Sequence, residues 1–512
     1  MPTGGTPATP RQRARGRDRI FRALARSLAR CFFRSVEVVG RRDHDGPVIV
    51  AASHLNGFVD PVLLVAAMGR LPRFLAKATL WRVLPARPFL ALARIIPVHR
   101  RQDTDGTAAN TATFAAAVEA LAAGATVALF PEGTTHDRPQ LVELRTGVAR
   151  IALQAIDSGV ADLRIVPVGI AYEDKVALRG RALVAFGEPI AAAAEVARLR
   201  GEAGDYRAVV RGLTRAVEQR LRAVSPDFRS SVEALALTGA AELVVRDQAA
   251  HPRKPVRLAE VDPVARDVAR AAPPGRRRVV DAMARYQLVL AHVGVHDEDV
   301  VRSVDPRTLG RRVAVLAVVV VVLAPFALAG ALANAVPTAL VVAAGLVPQA
   351  PVTKGTVRVL VALVAFPLTW LALAWFDLGG DAIADVTTAV TFPLTPLLGV
   401  LGGSRSGFLP SLAVFVAVPL LGVAALAVVV EWGEFRRTWR SWRTVLDRRG
   451  QIDELRALRR TVVEQMAAAR GLDAPPAGPG TATVGRDAAV GSDDPGGGAR
   501  NPPRPPPAEE PV

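Results

Sequence analysis

The 512-residue chain is 50% hydrophobic, has a mean hydropathy of +0.26 and carries a formal charge of +17, with a pI near 11.2. That length exceeds one ordinary domain, and the apolar fraction points to membrane segments rather than to a wholly soluble protein. With six Trp, three Tyr and no nucleic-acid motif, the basic balance is assigned to an anionic membrane surface and no nucleic-acid partner is expected.

Cys31 is the one cysteine, which excludes an intramolecular disulfide and any Cys-cluster metal site. Residues 1–18 are rich in Pro, Gly and Arg, lack the apolar core of a secretory signal and are expected to be a disordered basic arm. From Arg19 to Arg34 the pattern is helical. Ile20, Leu24, Leu28, Cys31 and Phe32 form an apolar stripe, with Arg22, Arg26 and Arg30 opposite. Two readings fit this 1–35 unit: a helix lying in a membrane interface, or one packed on the following domain with a solvated Arg face.

Residues 36–225 alternate between strand and helix signals. Strands are predicted at 47–51, 73–77, 95–98, 126–130, 164–171 and 181–187, and helices at 60–69, 107–123, 145–157 and 205–223. The alternation predicts an α/β domain, a mostly parallel sheet with helices, whose functional residues gather at strand ends. Residues 226–311 read as a helical connector. His292 and His296 there offer a metal pair on paper, but without further ligands a surface turn or helix end fits better, and no metal is expected.

The composition then changes. Val313 to Val347 carries no charge over about 35 residues, more than the roughly 20 that one span needs. Pro325, Gly330, Asn334 and Pro337 interrupt it, so it reads as a hairpin or two short spans. Val359–Phe376 and Phe408–Val430 are further spans, and Val386–Leu401 is a weaker one. Four spans are expected, with three or two as alternatives, in an α-helical transmembrane region over 312–431. Residues 432–470 begin with clustered arginine and continue as an amphipathic helix, with Ile452, Leu455, Leu458, Val462 and Met466 on one side. That face suits packing or self-association, or the helix is simply solvated at the membrane surface. Residues 471–512 are expected to be disordered.

Four stretches of the α/β segment carry chemistry. The first is Ser53-His54-Leu55-Asn56-Gly57-Phe58-Val59-Asp60-Pro61, directly after a buried strand. A neutral imidazole can take a proton from an alcohol, and a carboxylate within reach can hold its tautomer. The others are Arg94-Ile95-Ile96-Pro97-Val98-His99-Arg100, Phe130-Pro131-Glu132-Gly133-Thr134-Thr135, and Ile165 to Tyr172. In this order and spacing they resemble the four motif blocks of the glycerophospholipid acyltransferases over roughly residues 36–225. Five residues separate His54 from Asp60 where most of that family has four. The form His-x-Asn-x-Phe-Val-Asp-Pro is similar to a branch that includes fungal glycerol-3-phosphate acyltransferases.

The resemblance implies transfer of a fatty acyl group from a thioester to a glycerol-phosphate hydroxyl in phospholipid biosynthesis. His54 would be the base and Asp60 its orienting partner. Arg100, Glu132, Gly133, Thr134 and Arg145 would bind the acceptor, Arg100 through its phosphate and Arg145 as a second phosphate contact, unless Arg145 serves as a helix-start residue. Glu132 would accept hydrogen bonds from acceptor hydroxyls or hold an arginine; the other reading is a turn residue satisfying backbone amides. Arg94 stands where the second block usually has glycine, and Leu144-Arg145-Thr146-Gly147 replaces Phe-Lys-x-Gly. No cofactor is expected beyond acyl-CoA or an acyl carrier protein thioester as co-substrate. The partners are that donor, glycerol-3-phosphate or a lysophospholipid, and membrane lipids. The expected location is an integral membrane protein with its catalytic domain on the cytoplasmic side, because arginine clusters flank the membrane region. The competing class is a membrane transport or lipid-handling protein with a non-catalytic acyltransferase-like domain. The few charges inside the spans weigh against an ion path.

Overall fold

The computed structural model describes residues 10–41, 44–78, 81, 87–98, 106–174, 179–203, 205–248, 256–301, 306–346, 351–378, 408–447 and 449–472. Helix α1 (Pro10–Phe32) begins nine residues before the predicted Arg19 and takes in half of the expected disordered arm. Pro10 sits at its first position, where a missing N–H costs nothing, and the Arg, Gln and Ala that follow favour helix. Strand β1 (Phe33–Val39), which was not predicted, follows directly. β2 (Val48–Ala52), α2 (Val59–Ala67), β3 (Arg73–Lys77), α3 (Arg87–Leu92), β4 (Ile96–Val98), α4 (Gly106–Ala122) and β5 (Thr126–Leu129) come next. α5 (Gly147–Asp157), β6 (Arg164–Tyr172), β7 (Gly180–Phe186), β8 (Ile190–Ala191), α6 (Ala192–Ala203) and α7 (Tyr206–Arg222) complete the α/β layer.

The strands form one sheet in the order β1-β7-β6-β2-β5-β3-β4, with β8 pairing β6. Pairing is parallel except where β6 meets β7 and β8. β2 is central, and all five of its residues are buried. Its alternate side chains divide between two cores, as a period of two requires. Ile49 and Ala51 join Val127, Leu129 and the inner faces of α4, α5 and α7. Val48, Val50 and Ala52 join Ala128, Val166 and the inner faces of α1 and α2. A strand covered on both faces needs an unbroken apolar run, which Val-Ile-Val-Ala-Ala supplies.

The apolar stripe predicted for α1 is divided. Leu28 and Phe32, with Ala25 and Ala29, pack into the core under the sheet, whereas Ile20 and Leu24 are exposed. Cys31 is exposed as well, so packing on the domain accounts for two of the five stripe residues.

Helices α8 (Ser231–Gln248), α9 (Leu258–Ala269), α10 (Pro273–Val293) and α11 (Asp297–Val301) follow. They share an apolar core with the C-terminal helix α16 (Arg449–Ala469) through Leu455, Val462 and Met466. Of the readings open for that helix, packing is the one observed. The bundle is cross-linked by charge: Arg459 bonds Asp297 at 2.7 Å and Asp247 at 2.7 Å, and Arg246 bonds Glu242 at 2.9 Å. Arg181 of β7 bonds the same Glu242 at 3.1 Å, and Glu37 of β1 accepts from the N–H groups of Leu258 and Ala259 at 2.9 Å. The β1–β7 edge is thereby tied to the bundle. His292 lies in the last turn of α10 and His296 just before α11, and no group of three or more metal-ligating side chains occurs among the described residues.

Between α11 and α16 lie α12 (Pro306–Ala333), α13 (Ala335–Leu346), α14 (Pro351–Leu378) and α15 (Phe408–Asp447). Two stretches, Leu309–Ala333 and Phe415–Arg443, are long and apolar enough to cross a membrane. α13 has 12 residues, short of a span, and the weaker predicted span at Val386–Leu401 lies outside the described residues. Val318, Val321, Val322, Leu420, Val423 and Val429 are all exposed, unlike the side chains of a soluble core helix. α12 and α15 approach closely at Gly330, where a Cβ would lie 2.0 Å from the Leu421 carbonyl oxygen. Beside it Asn334 is buried. Its amide donates to the carbonyls of Gly330 and Val418 and accepts from Trp370 Nε1 at 2.9 Å, joining α12, α14 and α15. Small residues at the crossing and one satisfied polar side chain are what helix packing in lipid favours.

Candidate active site

β6, β2 and β5 are adjacent and parallel, so their C-terminal ends share one rim of the sheet. Each end delivers part of the site: His54 two residues beyond β2, Phe130 to Glu132 directly beyond β5, and Tyr172 as the last residue of β6. Ser53 extends the pairing of β2 with β6 past the strand. Its N–H donates to the Val168 carbonyl at 3.0 Å, and its hydroxyl accepts from the Ile170 N–H at 2.9 Å. The histidine backbone is therefore fixed at the rim. Its ring stacks on Phe130, with centroids 4.0 Å apart.

α2 opens five residues after His54 and carries Asp60 in its first turn. The Asp60 side chain is fully buried. Oδ2 accepts from the Asn56 N–H at 2.7 Å and lies 2.9 Å from His54 Nδ1; Oδ1 accepts from the Tyr172 hydroxyl. A carboxylate can only accept, so His54 carries its proton on Nδ1 and leaves the Nε2 lone pair free to act as a base. Burial, then the neighbouring carboxylate, pushes the Tyr172 phenol well above its ordinary range, which keeps it a donor. Nε2 has a neighbour: the Thr135 hydroxyl, at 2.8 Å.

Glu132 is buried, and both its oxygens face protein donors. Oε1 accepts from the His54 N–H at 2.7 Å; Oε2 accepts from the Val142 N–H at 3.3 Å and pairs with His136 Nε2. The structure thus places Glu132 on backbone amides and a histidine, as in the turn-residue reading, rather than on an arginine. Gly133 adopts φ +69°, and a Cβ there would meet Arg145 Cδ at 2.5 Å. The left-handed φ favours glycine, whereas the exposed Arg145 side chain could move aside. Arg145 is exposed and lies over this turn, and its guanidinium makes no hydrogen bond among the described residues. Thr134 is exposed beside it.

Arg100 lies outside the described residues. Arg94 does not, and its φ of +53° explains why glycine is usual at that position. The N–H of Arg94 bonds the Ala91 carbonyl and that of Ile95 bonds the Leu90 carbonyl, which closes α3 in a Schellman motif with arginine at the left-handed position. Four contributors were missed as site residues in the sequence: Phe130, Thr135, His136 and Tyr172. Thr135 and Tyr172 lie inside two of the motif stretches. His136 carried a signal, since it is four residues after Glu132 and only seven histidines occur in the chain.

The Acyltransferase family profile matches residues 35–171. Glycerol-3-phosphate O-acyltransferase 2 of Saccharomyces cerevisiae is 39% identical over 82 residues, which are 16% of this chain and 11% of the yeast protein. Lyso-ornithine lipid O-acyltransferase of Brucella abortus is 30% identical over 150 residues, 29% of this chain and 53% of that protein. The chain thus spans about half or less of the curated relatives it matches. The crystal structure of the 1-acyl-sn-glycerophosphate acyltransferase PlsC of Thermotoga maritima aligns with 41% of this chain and 83% of its own at 19% identity. Its TM-score is 0.31, too low to add to what the sheet itself shows. With the family profile lying across β1 to β6 and both named relatives acyltransferases, residues 35–171 are an acyltransferase-family domain.

Proposed function

We propose that this chain is a membrane-bound acyltransferase that moves a fatty acyl group from an acyl thioester to a hydroxyl of a glycerol-phosphate acceptor in phospholipid biosynthesis. Glycerol-3-phosphate stands narrowly ahead of lysophosphatidate. The observation that carries the reading is the commitment of His54 Nδ1 to buried Asp60, which leaves Nε2 as a base at the rim of the sheet. The acceptor hydroxyl gives its proton to Nε2 as its oxygen bonds to the thioester carbonyl carbon. The C–S bond then breaks, and the departing thiolate takes the proton from the imidazolium. Asp60 stabilises that imidazolium while Asn56 N–H and the Tyr172 hydroxyl hold the carboxylate in place. A thioester is already reactive, so orientation and charge stabilisation supply the rest. Glu132 acts on this reading as a positioning residue. The guanidinium of Arg145, without a hydrogen bond among the described residues and beside the Gly133 turn, suits an anionic group on the acceptor, with Arg100 as a second contact.

Membrane attachment is supported by the exposed apolar faces of α12 and α15. At the end of α15, Trp432, Phe435, Trp439 and Trp442 contact one another in series among Arg436, Arg437, Arg440 and Arg443, a composition suited to a lipid headgroup region. α16 packs with α8 and α10 in one core, so the chain re-enters, after its membrane helices, the body it left. We therefore place both flanks on one face, the cytoplasmic one, with an even number of crossings. A second reading, a lysolipid acceptor, is favoured by the longer match to the Brucella enzyme.

The test is an acyl-transfer assay on membranes bearing the full chain. Acyl-CoA and acyl carrier protein thioesters are offered as donors, and glycerol-3-phosphate, lysophosphatidate and lyso-ornithine lipid in parallel as acceptors. Transfer that disappears in His54→Ala supports the reading. Absence of transfer to every acceptor by well-inserted protein defeats it.

A further inference from the structure

We propose that Thr135 is a gate on His54: its hydroxyl caps the free ring nitrogen until an acceptor hydroxyl displaces it, which protects a bound thioester from water. The proposal rests on the acyltransferase reading above. With Nδ1–H on Asp60, Nε2 can only accept, so the Thr135 hydroxyl donates to it at 2.8 Å. That is the position which the proton of an attacking alcohol must occupy.

The hydroxyl is held there by the loop on either side of it. One residue before Thr134, Gly133 N–H bonds the Phe130 carbonyl at 3.0 Å in a left-handed turn. One residue after Thr135, His136 pairs with Glu132, whose other oxygen holds the His54 N–H at 2.7 Å. Thr135 and the histidine it caps are therefore anchored to the same buried carboxylate. The cap keeps its place relative to the base as long as Glu132 is in position.

A bare base beside a thioester would also serve water. Water would give a proton to Nε2, its oxygen would bond to the carbonyl carbon, the C–S bond would break, and the thiolate would take the proton back. Fatty acid and free thiol would result. A water molecule that replaces Thr135 exchanges one hydroxyl hydrogen bond for another and gains nothing. A glycerol-phosphate acceptor brings the binding energy of its remaining groups, which can drive the displacement. The gate thus selects the acceptor over water by competition at the base.

The experiment compares full-length wild type, Thr135→Val and Thr135→Ser in membranes, with palmitoyl-CoA as the probe. Thiol release without acceptor and acylated product with glycerol-3-phosphate or lysophosphatidate are measured on the same preparations. Val keeps the shape and removes the hydroxyl. The expected result is a hydrolysis-to-transfer ratio raised roughly tenfold in Thr135→Val, the scale of one hydrogen bond, and near wild type in Thr135→Ser. If Thr135→Val fails to insert, Thr135→Ala reports the same ratio. A loss that lowers both rates together leaves the ratio unchanged and overturns the gate, assigning Thr135 to structure. An acyl group found on Thr135 by peptide mass spectrometry without acceptor overturns it in favour of a nucleophile. Wild type that transfers to no acceptor defeats the functional reading itself, whereas normal wild-type transfer with an unchanged ratio in the variant defeats only the gate.

Discussion

Two polar groupings, one at the rim of the sheet and one in the helical bundle, use carboxylates in opposite ways. In the bundle, Asp297, Asp247 and Glu242 each face the guanidinium of Arg459 or Arg246. At the rim, Asp60 and Glu132 receive no arginine in the described geometry. Their donors are backbone N–H groups, a phenol and two histidines. An arginine remains charged at any working pH, so the bundle network is fixed and serves to hold helices together. A histidine gains and loses its proton near neutrality, so the rim arrangement can do work on a substrate. The difference separates a structural network from a site without reference to any relative.

The largest effect should come from breaking the rim. His54→Ala and Asp60→Asn are each expected to lower transfer by about a thousandfold or more, since a base and its orienting partner act as one unit. Expression and membrane insertion should be unaffected. A residual rate within about tenfold of wild type for His54→Ala would remove His54 as the base.

Breaking the bundle should instead lower its stability. Arg459→Met takes one of two guanidinium partners from half-buried Asp297, which keeps Arg246 at 3.1 Å, and the partner of exposed Asp247, so the loss should be about 1–3 kcal/mol. Thermal unfolding of the purified protein in detergent reads the change. The double variant Arg459→Met/Asp297→Asn should recover part of it. If the single variant unfolds like wild type, α16 is not an integral part of the bundle.

Tyr172→Phe sharpens the comparison at the rim. It removes one hydrogen bond to a carboxylate, worth about 1.5–3 kcal/mol, so transfer should fall roughly ten- to a hundredfold while the protein stays folded. The phenol has a pKa raised above its ordinary 10.0. Its contribution to stability is therefore full below about pH 10 and is lost as pH rises through the higher folded value. A Tyr172→Phe variant that keeps the same stability loss above pH 10 as wild type would remove Tyr172 from that titration.

The smallest effect lies outside both groupings. Arg94 is held at φ +53°, where a side chain costs about 1 kcal/mol, so Arg94→Gly should stabilise the fold by a few tenths to about 1 kcal/mol. A destabilised variant would mean that the Arg94 side chain makes a contribution that outweighs its backbone strain.

Much of the fold was legible because its signals are local. The six strands expected from apolar runs all form, within one or two residues at each end. β1 was missed because Phe33-Arg34-Ser35-Val36-Glu37-Val38-Val39 is a half-buried edge strand that follows a helix without a turn signal. Its Glu37 looks like a solvated charge until α9 is seen to start on it. The apolar helical region was legible as composition. Its division into a broken α12–α13 pair was marked by Asn334, but the partners of that side chain, Val418 and Trp370, come from 84 and 36 residues away.

By itself the sequence determined six of the strands and their order, the burial of β2, the apolar helices and the proximity of His54 to Asp60. Each depends on periodicity or on residues within a few positions of one another. Tertiary structure alone decided what surrounds that pair. Tyr172 reaches Asp60 across 112 residues, Glu132 reaches the His54 N–H across 78, and Thr135 reaches His54 Nε2 across 81. Parallel pairing of β6, β2 and β5 brings these distant segments to one rim. Side-chain contacts between segments so far apart follow from strand order and register, which no local pattern encodes.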